Sequence, residues 1–201
     1  GGGKFFQESA PEIFYTFAQV AAECSARHFG LTHTGYFKSP DTSWDSETGQ
    51  GKAYVAYSFG VQIAEAEVDM QTGEARVLDI WAAHDLGKVV NPKMAQGQIE
   101  GGVVQGVGYS LMEFIALDGK GRIQNPSFSN YIIPTSLDAP LVHSEIVESV
   151  YPEGPFGVKG FGETPLMGVA ACVANAVSDA IGRDVDKIPM LPERLLEKMK
   201  G

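Results

Sequence analysis

Residues 60–85, GVQIAEAEVDMQTGEARVLDIWAAHD, carry the clearest structural pattern of the sequence, because two apolar stretches flank a short polar segment. Over residues 61–68 the apolar positions are set against Gln62, Glu65 and Glu67, a pattern typical of a half-buried strand. The segment QTGE supplies a turn, and ARVLDIWAAHD continues as a second strand. We therefore predict an antiparallel hairpin, with Gln62 grouped among its polar positions.

A glycine-rich helix is predicted over residues 94–117. Apolar residues recur there at four-residue intervals, namely Ile99, Val103, Val107, Leu111 and Ile115. Each glycine disfavours a helix by roughly 1 kcal/mol relative to Ala. Gly97 and Gly101, like Gly102 and Gly106, are four residues apart and leave flat patches on the helix surface. We expect other elements or a ligand to pack closely against those patches.

Several other elements complete the outline. Residues 9–29 are predicted as a helix, with Ser9 as N-cap, Pro11 in the first turn and Gly30 as its stop. A strand is predicted at LVHSEIVES, a helix buried on nearly all sides at 164–181, and a short amphipathic helix beginning at Pro192. The predicted class is α+β, with mixed sheets and hairpins packed against the glycine-rich helix and the buried apolar helix, in one unit over residues 1–201.

Composition narrows the possible partners. The 201 residues carry a net charge of -10, which argues against nucleic acid or an anionic membrane as a partner. An uninterrupted apolar run of about 18 residues, as needed to span a bilayer, is not found, and GGGKFFQESAPE does not resemble a signal peptide. Cys24 and Cys172 lie in apolar helical patterns, so we predict buried free thiols and a reducing cytoplasm. Two cysteines are too few for an iron–sulfur cluster.

The stretch GVKGFGETP, residues 157–165, places Glu163 after a run of glycines and directly before a helix start, with Thr164 predicted as N-cap and Pro165 as the first helical residue. One interpretation is a carboxylate favoured by the helix dipole, worth about 0.3–1 kcal/mol. The other is a general base held at the rim of a pocket, where glycines let a ligand come close. The dipole explains the sign of the charge but leaves the glycines unexplained.

A second candidate is GQIEGGVVQGVG, residues 97–108. Gln98 and Gln105 are seven residues apart and share one helix face, where glutamines could bind a ligand that carries ring nitrogens and oxygens. The alternative interpretation is that these glutamines only support the packing of helices.

Other sites are not indicated. Neither phosphate-loop pattern is present, and the four histidines lack metal-ligand spacing, so no metal ligand is predicted. His84-Asp85 could be an acid–base pair or simply close its strand through local hydrogen bonds.

Four segments in this order resemble the C-terminal part of the molybdopterin-binding subunit of the molybdenum hydroxylases, the xanthine dehydrogenase and aldehyde oxidoreductase family. They are DTSWDSETGQGKAYVAYSFGVQIAEAEVD, AAHDLGKVVNPKMAQGQIEGGVVQGVGYSLME, NPSFSNYIIPTSLDAP and GVKGFGETPLMGVAACVANAVSDAIG. The resemblance covers about residues 40–200, which would form the cofactor side of the domain after the helical start at 9–29.

The resemblance implies a role for four residues. Glu163 would be the base beside the molybdenum, Gln98 would hydrogen-bond the pterin, and Lys159 and Gly160 would belong to the loop beside the metal. Gly101 and Gln105 are also assigned to cofactor binding. The implied reaction hydroxylates an electron-poor carbon of a heterocycle or aldehyde with oxygen derived from water, and the cofactor carries the redox step.

Family subunits of this type are several times longer than 201 residues. The resemblance therefore implies a domain fragment or one chain of a split subunit, inactive alone. Its partners would be the remaining molybdopterin-binding domain and the iron–sulfur and flavin (FAD) domains or subunits. One alternative is a structural or assembly domain of the same complex. Another is a cofactor-free carboxylate hydrolase, for which no second carboxylate is placed convincingly opposite Glu163.

Overall fold

The computed structural model describes residues 3–200 of the chain. The chain divides into two compact units, Gly1–Lys38 and Ser39–Gly201. Both cysteines are free thiols: Cys172 in the second unit is buried, whereas Cys24 in the first is only partly buried.

The first unit begins with a hairpin and ends with a helix. Strand β1 (Lys4–Gln7) pairs antiparallel with β2 (Ala10–Thr16), and helix α1 (Phe17–Ala26) follows directly. The predicted helix over residues 9–29 is therefore wrong in its first half. The run EIFYT is rich in β-branched and aromatic residues, which favour a paired strand. The true N-cap is Thr16, whose side chain accepts from the Gln19 N–H in a capping box.

A three-stranded sheet organises the second unit. Strand β3 (Gly60–Val68) pairs antiparallel with β4 (Ala75–Asp85), and β4 pairs parallel with β5 (Leu141–Val147). The hairpin and the third strand are confirmed. The polar and apolar grouping of β3 is wrong, because Val61 and Ile63 are exposed while Gln62 faces inward with Ala64, Ala66 and Val68.

Helix α2 (Pro92–Leu111) connects β4 to β5. Asn91 caps it, its Oδ1 accepting from the Met94 N–H at 3.1 Å, and Pro92 occupies the first turn. The predicted apolar row is buried through Leu111, but the helix ends there, and Ile115 is exposed beyond it.

The apolar segment near the C-terminus is two helices, α3 (Thr164–Met167) and α4 (Val169–Ile181), which meet at Gly168; α5 (Pro192–Lys200) follows. By length and composition alone residues 164–181 could cross a membrane, but a core helix passes the same test. Only one face of α4 is buried, so the prediction of burial on nearly all sides is wrong.

The hydrophobic core joins residues of α2, α4, α5 and β4, including Ile80, Ile99, Val103, Val107, Val169, Val173, Val177 and Leu195.

Close packing explains three of the five glycines of α2, namely Gly102, Gly106 and Gly108. A side chain at Gly102 would reach within 2.7 Å of the Pro165 Cβ, and one at Gly106 would collide with Val169. The predicted glycine patch therefore lies against α3 and the start of α4. Side chains added at Gly97 or Gly101 would meet no atom within 4 Å, so this second patch is open. The α+β class is confirmed.

Candidate functional site

Glu163 lies at the end of the loop formed by residues 157–163. It occupies the N-cap position of α3, one residue earlier than predicted, and its backbone carbonyl accepts from the Leu166 N–H at 3.0 Å. Its side chain is exposed and makes no capping hydrogen bond. Because α3 has only four residues, the dipole of that helix offers a weak explanation for a carboxylate here.

The loop is attached to α2 by Gln98. The Gln98 Nε2 donates to the carbonyl oxygen of Gly162 at 2.5 Å. This bond joins positions 64 residues apart and brings the start of α2 next to Glu163. Two candidate residues that lie far apart in the sequence are thereby neighbours. Gln105 lies on the same helix face but about 10 Å further along the axis, given a rise of 1.5 Å per residue.

Around this contact the surface is open on both elements. A side chain added at Gly160 or Gly162 would meet no atom within 4 Å, as at Gly97 and Gly101 on α2. Exposed glycines on two adjoining elements let a flat ligand approach the backbone closely. The residues present therefore fit a bulky planar group beside Glu163, and Gly101 and Gly160 are among them.

Lys159 holds the loop to the end of β4. Its Nζ lies 2.5 Å from the Asp85 Oδ2 and donates to the Tyr57 carbonyl at 2.9 Å. Both side chains of the ion pair are buried. The Lys159 ammonium is thus committed to the protein, and its backbone N–H donates to the Leu86 carbonyl at 3.0 Å. Any cofactor contact by Lys159 would therefore come from its backbone carbonyl.

His84 and Asp85 have separate partners. Asp85 accepts from Lys159 and from the Gly87 N–H at 2.9 Å, whereas the His84 Nε2 lies 3.2 Å from the Gln62 Nε2. Desolvation raises the pKa of Asp85, but its hydrogen bonds to Lys159 and Gly87 outweigh that effect and hold the pKa below its usual range. Burial lowers the pKa of His84, which favours the neutral imidazole.

A third attachment was missed at the level of sequence. The Gln62 Nε2 donates to the carbonyl oxygen of Pro165 at 2.6 Å, two residues after Glu163. The even-numbered positions of β3 could have revealed this contact. Side chains alternate between the two faces of a strand, so Gln62 lies on the same inward face as Ala64 and Ala66. With Lys159 and Gly162, three points of attachment flank Glu163.

Comparison with known proteins places this chain in a family. Residues 1–140 match the family of molybdopterin cofactor-binding domains, a range that includes Gln98 but ends before Glu163. The chain is 37% identical over 163 residues to the aldehyde oxidoreductase of Megalodesulfovibrio gigas, covering 80% of this chain and 17% of that protein. It is 36% identical over 142 residues to the xanthine dehydrogenase molybdenum-binding subunit of Escherichia coli O157:H7, covering 70% and 19%.

Solved structures of molybdenum hydroxylases support the same family assignment. The aldehyde oxidoreductase from Desulfovibrio gigas superposes with a TM-score of 0.79 at 32% identity, covering 94% of this chain and 20% of that one. Quinoline 2-oxidoreductase from Pseudomonas putida 86 superposes with a TM-score of 0.73 at 26% identity, covering 98% and 25%. The chain belongs to the molybdopterin cofactor-binding domains of the molybdenum hydroxylase family. It spans about a fifth of the length of the curated relatives it matches.

Proposed function

We propose that this chain forms part of a molybdenum hydroxylase that adds water-derived oxygen to an electron-poor carbon of a heterocycle or aldehyde, with Glu163 as general base. The observation that carries the proposal is the hydrogen bond from Gln98 to Gly162. It joins the helix suited to holding a pterin to the residue directly before the carboxylate. A base and a cofactor-binding group must be neighbours for this chemistry.

The carboxylate of Glu163 is available to take a proton. Within residues 3–200 it accepts no hydrogen bond and forms no ion pair, and it is exposed on the open side of the loop. The nearby Asp85 is the contrasting case, since Lys159 and Gly87 occupy its oxygens. Glu163 is therefore the carboxylate of this site that can accept the proton of the attacking water-derived group.

The molybdenum cofactor, when bound, supplies the two-electron oxidation of the substrate carbon. Gln98 would orient it: with Nε2 engaged by Gly162, the Gln98 Oε1 can accept from a pterin N–H. Gly101 and Gly160 would let the ring system approach the backbone, and Gln105 would bind further along α2. The backbone of Lys159 would contribute from the loop, while its ammonium stays with Asp85.

The remaining molybdopterin-binding domain and iron–sulfur and flavin subunits would complete the enzyme in the cytoplasm. Large apolar side chains of the second unit support such partners, because Phe128 and Phe156 are 87% and 91% exposed. The same exposure supports the second candidate function, a domain that shapes the cofactor cleft without supplying a catalytic group. On both proposals the isolated chain is inert.

The test uses the assembled complex that contains this chain, as wild type, Glu163→Gln and the exposed control Glu47→Gln. Molybdenum is measured by elemental analysis, and turnover is measured with an aldehyde and with an N-heterocycle. We expect equal metal in all three and a loss of kcat of at least about 10²-fold in Glu163→Gln alone, the least effect of removing a general base. Retained activity in Glu163→Gln with equal molybdenum would favour the cleft-shaping role. Absence of molybdenum from every complex would contradict the cofactor assignment.

A further inference from the structure

We infer that Gln62, held by His84, is a positioning residue that sets the orientation of Glu163 through the Pro165 carbonyl. This inference deepens the proposed function and rests on it for the catalytic role of Glu163. Its physical content is a pair of hydrogen bonds that Gln62 of β3 donates to His84 of β4 and to Pro165 at the start of α3, and these can be measured independently of turnover.

The orientation of the Gln62 amide follows from its neighbours. Its Nε2 lies 2.6 Å from the Pro165 carbonyl oxygen, which can only accept a hydrogen bond. The reversed amide would bring two oxygens together at that distance, so the NH₂ group must face Pro165. Its second N–H then points to the His84 Nε2 at 3.2 Å.

This geometry determines the tautomer of His84. Because the Gln62 NH₂ group can only donate, the His84 Nε2 must be the unprotonated nitrogen, and the ring proton of the neutral imidazole lies on Nδ1. His84 is only 3% exposed, and within residues 3–200 its Nδ1 has no hydrogen-bond partner. The ring also stands edge-on to Phe161 at a centroid distance of 5.8 Å. His84 therefore supports the loop on both sides of Glu163.

The chain of bonds leaves two buried atoms unsatisfied, the His84 Nδ1 and the Gln62 Oε1. Buried polar atoms without partners cost free energy and are rare in folded proteins. The hydrogen bonds that Gln62 does make go to His84 and to the Pro165 carbonyl. Gly168 permits this arrangement, because a Cβ there would lie 2.5 Å from the Gln62 Oε1.

The first experiment reads the tautomer in the full 201-residue chain by long-range ¹⁵N–¹H NMR. We expect the Nδ1–H form of His84 in wild type and the Nε2–H form in Gln62→Glu, whose carboxylate accepts from His84 and cannot donate to Pro165. Amide exchange of Leu166, whose N–H donates to the Glu163 carbonyl, should quicken in Gln62→Glu and Gly168→Ala. The exposed controls Gln124→Glu and Gly119→Ala should leave both readouts unchanged. A wild-type Nε2–H tautomer would overturn the inference.

The second experiment measures kcat, KM and molybdenum content in the assembled complex with the same variants. Misplacing the base should lower kcat by about 10- to 100-fold while KM and metal content stay within about twofold. Unchanged kcat in both Gln62→Glu and Gly168→Ala would refute a positioning role. If Glu163→Gln itself keeps full activity, the proposed base fails, whereas the tautomer and exchange results still decide whether Gln62 orders the loop.

Discussion

Gln98 and Gly162 are joined by a hydrogen bond of 2.5 Å between the side-chain amide of one and the backbone carbonyl of the other. The bond fixes the residue before Glu163 against the first turns of α2. It belongs to a set of three attachments, with Lys159 to Asp85 and Gln62 to Pro165, that hold a glycine-rich loop in one place. A loop rich in glycine loses much backbone entropy on ordering, and these bonds offset that loss.

Loss of the Gln98 amide should loosen the loop. A net hydrogen bond stabilises by about 0.5–1.5 kcal/mol, so Gln98→Leu should speed amide exchange of Leu166 by about 2- to 12-fold. Hydrogen–deuterium exchange under native conditions checks this. Gln105→Leu, an exposed glutamine on the same helix face, serves as the matched control. Equal protection in the two variants would show that the bond does not order the loop.

Breaking the buried ion pair should be costly. Lys159→Met leaves the buried Asp85 without its counter-charge, and such single removals destabilise by about 3–5 kcal/mol. Urea unfolding followed by circular dichroism measures the loss. Lys88→Met removes the half-exposed Lys88–Glu148 pair and should cost much less, because solvent screens the attraction between exposed charges. Similar losses in both variants would mean that burial of the Lys159 pair confers no special stability.

Stability should fall with acidification because His84 is buried as the neutral imidazole. Its folded pKa lies below the ordinary 6.5, so the unfolded chain binds more protons as pH falls. The contribution is fully present above pH 6.5 and is lost between that value and the folded pKa. Unfolding free energy measured from pH 7.5 to 5 should decline less steeply in His84→Gln, a comparison that removes the contribution of other histidines. Parallel curves would exclude His84 as the cause.

Replacing glycines of α2 by alanine should change the free energy of unfolding in opposite directions at Gly106 and Gly97. Gly106→Ala forces a methyl group into Val169 and should destabilise by about 1–3 kcal/mol. Gly97→Ala meets no atom within 4 Å and should stabilise by up to about 1 kcal/mol through helix propensity. Thermal unfolding of both variants decides the matter. Destabilisation by Gly97→Ala would indicate that the open patch is covered in solution.

Local pattern predicted most of the second unit. The turn between β3 and β4, the four-residue apolar spacing of α2 and the proline at the start of α5 each depend on residues close in sequence. Each of these elements formed, although α2 ends at Leu111, before the predicted end at residue 117. The first unit shows where local signals conflict. Ser9 and Pro11 are typical of a helix start, yet pairing with β1 made residues 10–16 a strand.

Local sequence pattern therefore accounts for most elements of the second unit and for the residue types at the candidate site: a carboxylate among glycines and a glutamine on a glycine-rich helix. Which of these residues meet depends on the tertiary fold. Asp85 and Lys159 lie 74 residues apart, and Gln62 and Pro165 lie 103 apart. Hydrogen bonds and ion pairs act over a few ångströms, so such partners are set by how the sheet and helices pack, which spacing along the chain does not encode.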